Sequence, residues 1–199
     1  MASARAWAER SGFDYRLYGD EILDAVPAWF RDKAAGRLSI VTDLGRLLLA
    51  RRLLAEGYRR TIWLDADILV FRPAALGIEV EREYAFGREI WVQRDPRYRL
   101  KAYRNVHNAV AVFVAGNSFL DFYIHACESV FERVEAGVPA QVLGPKLLGA
   151  LHNVLRLPLI EEVGALSPEV VRDFAAGGGP ALELLRRRIP ARLDRKSVV

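Results

Sequence analysis

The strongest constraint on the fold is the stretch from Thr61 to Phe71, an apolar strand pattern in which Asp65 and Asp67 occupy alternate positions. Residues i and i+2 of a strand point to the same face. Two ionised carboxylates so close would repel unless a divalent metal or a shared proton compensated their charge. The pattern therefore predicts a metal site at the end of a strand.

The composition is that of one globular domain. The chain has 199 residues, of which 52% are hydrophobic and 27% charged, enough to enclose a sizeable core. We assign residues 1–193 to a single domain. The six residues from Asp194 to Val199 match the translation of a sequencing-adapter read-through, so we expect a non-native tail and a chain truncated at both ends.

The charge of the chain and the apolar pattern of its sequence indicate where the protein is expected to act and which partners it is expected to bind. No apolar run reaches the roughly 18 residues of a membrane-spanning helix, and the N-terminal residues lack the apolar region of a secretory signal, so we expect a cytoplasmic protein. The only cysteine, Cys127, is expected to fill the core. The net charge of +4, carried mainly by arginine, could favour nucleotide diphosphates or acidic membrane lipids, and it is compatible with peripheral membrane association. We expect no nucleic-acid partner.

Hydrophobic periodicity predicts an α/β fold with a parallel or mixed sheet, whose functional edge lies at the carboxyl end of the Asp65 strand. The pattern on Ser118 to Val134 places Cys127 inside and His125 in solvent. The predicted helices are residues 2–10, 39–57, 118–134, 144–151, 168–175 and 181–188, and the predicted strands are 13–18, 61–71, 84–87, 90–93, 99–104 and 106–114.

An aspartate–x–aspartate pair after a strand has several uses. Phosphatases of the haloacid dehalogenase type carry Thr or Val where this chain has Leu69, and their motif lies near the N-terminus, which disfavours that class. In sugar transferases the pair holds a metal against a nucleotide-sugar diphosphate. Upstream, Asp43 and Arg46 stand at i and i+3 of a helix, where they could grip sugar hydroxyls or form a structural ion pair.

Two segments, Thr42-Asp-Leu-Gly-Arg46 and Ile62-Trp-Leu-Asp-Ala-Asp-Ile-Leu-Val70, resemble glycosyltransferases of the GT-A fold, in the sugar-binding-region family with the DXD motif found in capsular polysaccharide synthesis. The resemblance covers most of residues 39–160. It extends to Val106-His-Asn-Ala-Val-Ala-Val-Phe113, with Asn108 near the donor sugar, and to Gly144-Pro-Lys-Leu-Leu148, in which Lys146 could touch phosphate. It implies a Rossmann-like mixed sheet flanked by helices.

The resemblance also implies an activity. It predicts a hexosyltransferase, mostly of the retaining type, that uses a nucleotide sugar, with a uridine diphosphate sugar expected first, and a glycan or lipid-linked acceptor. Asp65 and Asp67 would be the ligands of Mn²⁺ or Mg²⁺, Asp65 would also meet the diphosphate, and Asp43, Arg46 and Asn108 would contact the donor.

Two features depart from that family. Its usual opening strand is missing here, and a further metal ligand is not assigned, with His107 and His152 as candidates. A sugar nucleotidyltransferase remains an alternative, although the Gly-rich triphosphate loop is absent. So does a non-catalytic remnant that still binds the nucleotide sugar.

Overall fold

The computed structural model describes residues 1–74, 76–78, 83–135 and 137–189. Its elements are seven α-helices, four strands, one 3₁₀ turn and one π-helical turn within those ranges. The helices are α1 (Ala2–Arg10), α2 (Ala28–Ala34), α3 (Leu38–Ala55), α4 (Phe119–Arg133), α5 (Leu147–Leu155), α6 (Pro168–Ala175) and α7 (Pro180–Arg188). The strands are β1 (Arg60–Leu64), β2 (Tyr84–Arg94), β3 (Leu100–Val114) and β4 (Leu159–Ile160), the 3₁₀ turn is Asp20–Leu23 and the π turn is Val142–Lys146.

The four strands form one mixed sheet in the order β1, β3, β2, β4. β3 pairs antiparallel with both β1 and β2, whereas β2 and β4 run parallel. Helices pack against the sheet, as the α/β prediction requires. The mixed α/β architecture is therefore confirmed.

Alternation along the central strand divides the core between the two faces of the sheet. Ala111 and Phe113 of β3 pack with α2, α3 and α4, while Val110 and Val112 point the other way and pack with α1. A third cluster lies at the outer end of the β2–β3 hairpin, where Val170 of α6 and Ala181 and Leu185 of α7 pack with Ile90 and Val92 of β2.

Several predicted elements are confirmed with altered bounds. The two strand pieces predicted at 84–87 and 90–93 form one strand, β2, and those predicted at 99–104 and 106–114 form β3. Cys127 is fully buried in α4 and His125 is exposed on the opposite side, as predicted. Burial raises the pKa of the Cys127 thiol well above its ordinary value, which makes it a poor nucleophile.

Two strand predictions are wrong. The strand predicted for residues 61–71 ends at Leu64, because the chain turns at once: the Ile68 N–H donates to the Asp65 carbonyl at 3.0 Å. The same-face spacing of a strand therefore does not relate Asp65 to Asp67. Residues 13–18, also predicted as a strand, form no ladder with any described strand.

The helix predicted from Gly144 also begins later than expected. Gly144 has non-helical dihedrals (φ −85°, ψ −111°) inside the π turn, and α5 starts at Leu147. Pro145 follows directly, and the residue before a proline is disfavoured in the α conformation, which accounts for the delay.

Candidate functional site

The carboxyl end of β1 meets an irregularity of β3. Between the pairs Phe86–Ala111 and Gly87–His107 the register of β2 and β3 shifts by three residues, so that residues 108–110 bulge from β3. The Ala109 carbonyl in this bulge accepts the Asp65 N–H at 2.9 Å. The bulge therefore brings Asn108 next to the residue that follows β1.

Arg46 connects the elements at this point. From α3, its Nη1 donates to Asp65 Oδ1 at 3.0 Å and to the Asn108 carbonyl at 2.9 Å, while Nη2 lies 3.2 Å from Asp43 Oδ1. The guanidinium carbon also lies over an aromatic face, 5.3 Å from the ring centre of Trp63. Arg46 is only 8% exposed, so these contacts occur in a poorly hydrated setting.

The indole ring of Trp63 packs against the guanidinium of Arg46. Trp63 also donates its indole N–H to Asp65 Oδ1 at 2.6 Å. One oxygen of Asp65 is thus fixed from two sides. Trp63 and Asp65 stand at i and i+2, a spacing that could have linked them from the sequence.

Asp43 is the most buried carboxylate of the group, at 7% exposure. Burial raises the pKa of Asp43 to about 6, although Arg46 and the amide of Asn108, which donates to Asp43 Oδ1 at 2.7 Å, act in the opposite direction. The nearby Asp65 adds to the increase. Two carboxylates therefore share one guanidinium in a confined space.

Gly144 closes the cluster from the π turn. A Cβ on this residue would lie 2.9 Å from the side-chain amide of Asn108 and 3.0 Å from Asp43 Oδ2. Only glycine allows the backbone to come this close without displacing its neighbours. The sequence identified Gly144 merely as the start of a helix.

Asp65 and Asp67 differ in their surroundings. The side chain of Asp65 is 32% exposed, and no described residue hydrogen-bonds its Oδ2. Asp67 lies in the turn after β1 and is exposed. Both carboxylates therefore retain oxygens that could bind a cation together with phosphate oxygens and water, which is the ligand set that Mg²⁺ commonly takes in proteins.

A cavity of about 710 Å³ adjoins Asp65. It lies along the free edge of β1, between that strand and residues 12–18, and Arg46 and Trp63 form part of its wall. Its size falls within the roughly 300–1,000 Å³ of small-molecule sites. The buried hydroxyl of Thr61 in the same wall has no hydrogen-bond partner among the described residues.

The remaining candidates lie apart from the cluster or lack a contact with it. Lys146 is exposed at the position before α5, and its side-chain ammonium makes no hydrogen bond or ion pair with a described residue. His107 is buried against Gly87, and burial lowers its pKa; its Nε2, like His152 Nδ1, has no described partner. Within the described ranges, no three His, Cys, Asp or Glu side chains are grouped so as to hold a metal.

Comparisons with protein-family models, curated proteins and solved structures gave no match. Among the described residues, no helix is both long enough and apolar enough to cross a membrane. The family resemblance in the sequence therefore stays a prediction. The site has to be judged on its own geometry.

The structure thus brings four predicted site residues together: Asp43, Arg46, Asp65 and Asn108 form one connected cluster. Asp67 and Lys146 remain exposed beside the chain segments that form it. The alternative of a structural ion pair between Asp43 and Arg46 is realised, since their charged atoms are 3.2 Å apart. Trp63 and Gly144 are the site residues that the sequence did not identify.

Proposed function

We propose that this chain is a metal-dependent glycosyltransferase of the GT-A type, which moves a hexose from a nucleotide sugar to a glycan or lipid-linked acceptor in surface polysaccharide synthesis. One observation carries the proposal. Asp65, directly after β1, lines a cavity of about 710 Å³; one of its oxygens is held by Arg46 and Trp63, and the other has no described hydrogen-bond partner. A uridine diphosphate sugar is the first donor to test.

The residues of the chain would divide the work between them. Arg46 and Trp63 hold the Asp65 carboxylate in one orientation, which lowers the entropic cost of assembling a ligand around it. Asp67, on the exposed turn, would supply the second carboxylate. Mn²⁺ or Mg²⁺ on this pair would neutralise charge on the departing nucleoside diphosphate.

The buried part of the cluster would have a positioning role. Arg46 already donates to Asp65, to the Asn108 carbonyl and toward Asp43, so its nitrogens are largely occupied. We propose that Asp43 and Asn108 fix Arg46, and through it Asp65, at the donor site. The direct contact of these three residues with the sugar remains a prediction.

The binding test is calorimetric titration of the whole chain with uridine diphosphate, with and without Mn²⁺. Metal-dependent binding is expected, with loss in Asp67→Ala and retention in Asp121→Ala, a control that removes an exposed aspartate of α4. Binding that ignored the metal and survived Asp67→Ala would overturn the proposal. So would the absence of binding by the unchanged chain.

A non-catalytic nucleotide-sugar-binding protein is the second candidate. It is favoured by the ion pair at 3.0 Å between Arg46 and Asp65, because a carboxylate neutralised by arginine needs no cation for its stability. Hydrolysis of the nucleotide sugar without an acceptor separates the two candidates: slow metal-dependent release of free sugar supports the transferase, whereas binding without release supports the second candidate. Release of pyrophosphate from a nucleoside triphosphate and a sugar phosphate would instead indicate a nucleotidyltransferase.

A further inference from the structure

Positive charge is concentrated at the end of the molecule formed by the β2–β3 hairpin and α7. Residues 94–104 and α7 together contain eight basic and two acidic residues, a formal charge of +6 in a chain of +4, so the remainder of the chain carries −2. The two segments lie side by side, since α7 packs on both strands and Arg104 Nη2 lies 3.4 Å from the Arg188 carbonyl. We call these 20 residues the cationic face.

The charges of the cationic face are exposed and poorly neutralised. Its two acids are engaged locally: Asp95 pairs with Arg99 and Lys101, and Glu183 with Arg186 and Arg187. The other basic side chains have no described carboxylate within salt-bridge distance, and all of them are exposed; they are Arg94, Arg97, Arg104 and Arg188. A large anionic partner is what such a surface would attract.

The hairpin tip is held in a defined shape. Asp95 Oδ1 accepts the N–H groups of Arg97 and Arg99 at 2.8 and 3.0 Å, and the Tyr98 N–H donates to the Asp95 carbonyl at 2.8 Å. Tyr98 consequently projects outward with 80% of its surface exposed. A rigid tip presents its aromatic ring and its charges without a large ordering cost.

Exposed apolar side chains border the charges. On α6, which packs against α7, Val171 is 49% and Phe174 is 71% exposed, and these residues stand at i and i+3 on the same side of the helix. A nucleic acid offers phosphates but little to bury aliphatic side chains, whereas a bilayer interface accepts cations, aromatic rings and apolar groups together. The combination favours a membrane.

We propose that the cationic face binds the surface of a membrane that contains anionic phospholipids, with the arginines on the headgroups and Tyr98 and Phe174 at the interface. This inference goes beyond the proposed transferase and stands without it. If both hold, membrane binding would bring the Asp65 site to the surface in which a lipid-linked acceptor resides.

The test is cosedimentation of the whole chain with vesicles of phosphatidylcholine alone or mixed with phosphatidylglycerol. Binding is expected only to the mixed vesicles. The triple variant Arg97→Gln, Arg187→Gln, Arg188→Gln should bind about a hundredfold more weakly, at roughly fivefold for each cation removed from an anionic surface. The matched control Arg31→Gln, Arg51→Gln, Arg52→Gln removes the same charge from exposed positions on α2 and α3 and should bind nearly as well as the unchanged chain.

A second pair of substitutions, Tyr98→Ser with Phe174→Ser, should weaken binding to the mixed vesicles although it leaves the charge of the protein unchanged. Absence of binding to mixed vesicles would overturn the proposal, as would equal losses in the two triple variants, which would indicate net charge alone. Tighter binding to single-stranded RNA, or displacement from vesicles by inorganic phosphate at constant ionic strength, would also overturn it. Uridine diphosphate binding by the cationic-face triple variant tests the transferase separately.

Discussion

The two ends of β3 differ in their surroundings: one borders a buried polar site, and the other carries exposed charges. Near the bulge, Val106 to Phe113 is mostly buried and Asn108 joins a cluster in which every charge has a partner. Toward the hairpin, Lys101, Tyr103 and Arg104 are exposed, and charge accumulates without full pairing. Removal of one charge should therefore lower the free energy of unfolding strongly at the first end and hardly at all at the second, because water screens the charges there.

Replacing Arg46 with methionine should produce the largest effect. It leaves Asp43 and Asp65 without their shared cation in a poorly hydrated setting, so the free energy of unfolding should fall by about 3–5 kcal/mol. Urea denaturation measures the loss. The control Arg51→Met breaks an exposed pair with Asp121 and should cost no more than ~1 kcal/mol. Equal costs for both variants would remove the distinction between a buried and an exposed ion pair.

The Gly144→Ala substitution should have the next largest effect. Its Cβ would press on Asn108 and Asp43 at about the contact distances given above, and overpacking of this kind costs about 2 kcal/mol. Gly149→Ala is the matched control, because the space around that helical residue is open and alanine favours the helix. Thermal unfolding should therefore shift down for the first variant and slightly up for the second.

The pH dependence of the free energy of unfolding should reveal the raised pKa of Asp43. Its pKa of about 6 in the folded chain exceeds the value of about 3.9 in an unfolded one, so its stabilising contribution is complete below the unfolded value and is lost as the pH rises through 6. Lowering the pH from about 7 to 5 should stabilise the unchanged chain by roughly 1 kcal/mol more than it stabilises the Asp43→Asn variant. His107, whose pKa is lowered, acts in the opposite direction in both proteins and cancels in the difference. Parallel curves for the two proteins would contradict the assignment.

The smallest effect is expected at the hairpin. Arg97→Gln removes an exposed cation with no described carboxylate partner, so the free energy of unfolding should stay within ~0.5 kcal/mol of the original. Chemical denaturation of this single variant beside Arg46→Met gives the sharpest form of the comparison. A cost above 1 kcal/mol would show that the hairpin charges support the fold.

Much of this architecture is predictable because long periodic segments carry their own signal. The helices α3 and α4 and the strands β2 and β3 follow from apolar spacing, and Asp65 falls next to a strand end as expected. The bulge at residues 108–110 could not be predicted, because a shift of register depends on the partner strands and leaves no mark in one strand's own pattern. Residues 13–18 show the converse: their alternation is genuine, but a strand requires a hydrogen-bonded neighbour.

The site was only partly predictable for a similar reason. The proximity of Asp43, Arg46 and Asn108 depends on how α3 packs against β3, across more than 60 residues of sequence. The motif resemblance brought these residues forward as a group, although it assigned them to the donor sugar. Gly144 was missed because its role comes from the close approach of the π turn, which only the packed structure reveals.

The bulge of β3 also separates the sheet into two independently adjustable halves. Because three residues of β3 have no partner in β2 at this point of the ladder, a change of hairpin length or a slip of its outer strands need not propagate to β1. The outer hairpin could therefore gain or lose residue pairs over evolution while Asn108 kept its place. Such a fold can change the surface that the hairpin presents without changing the cluster that contains Asn108.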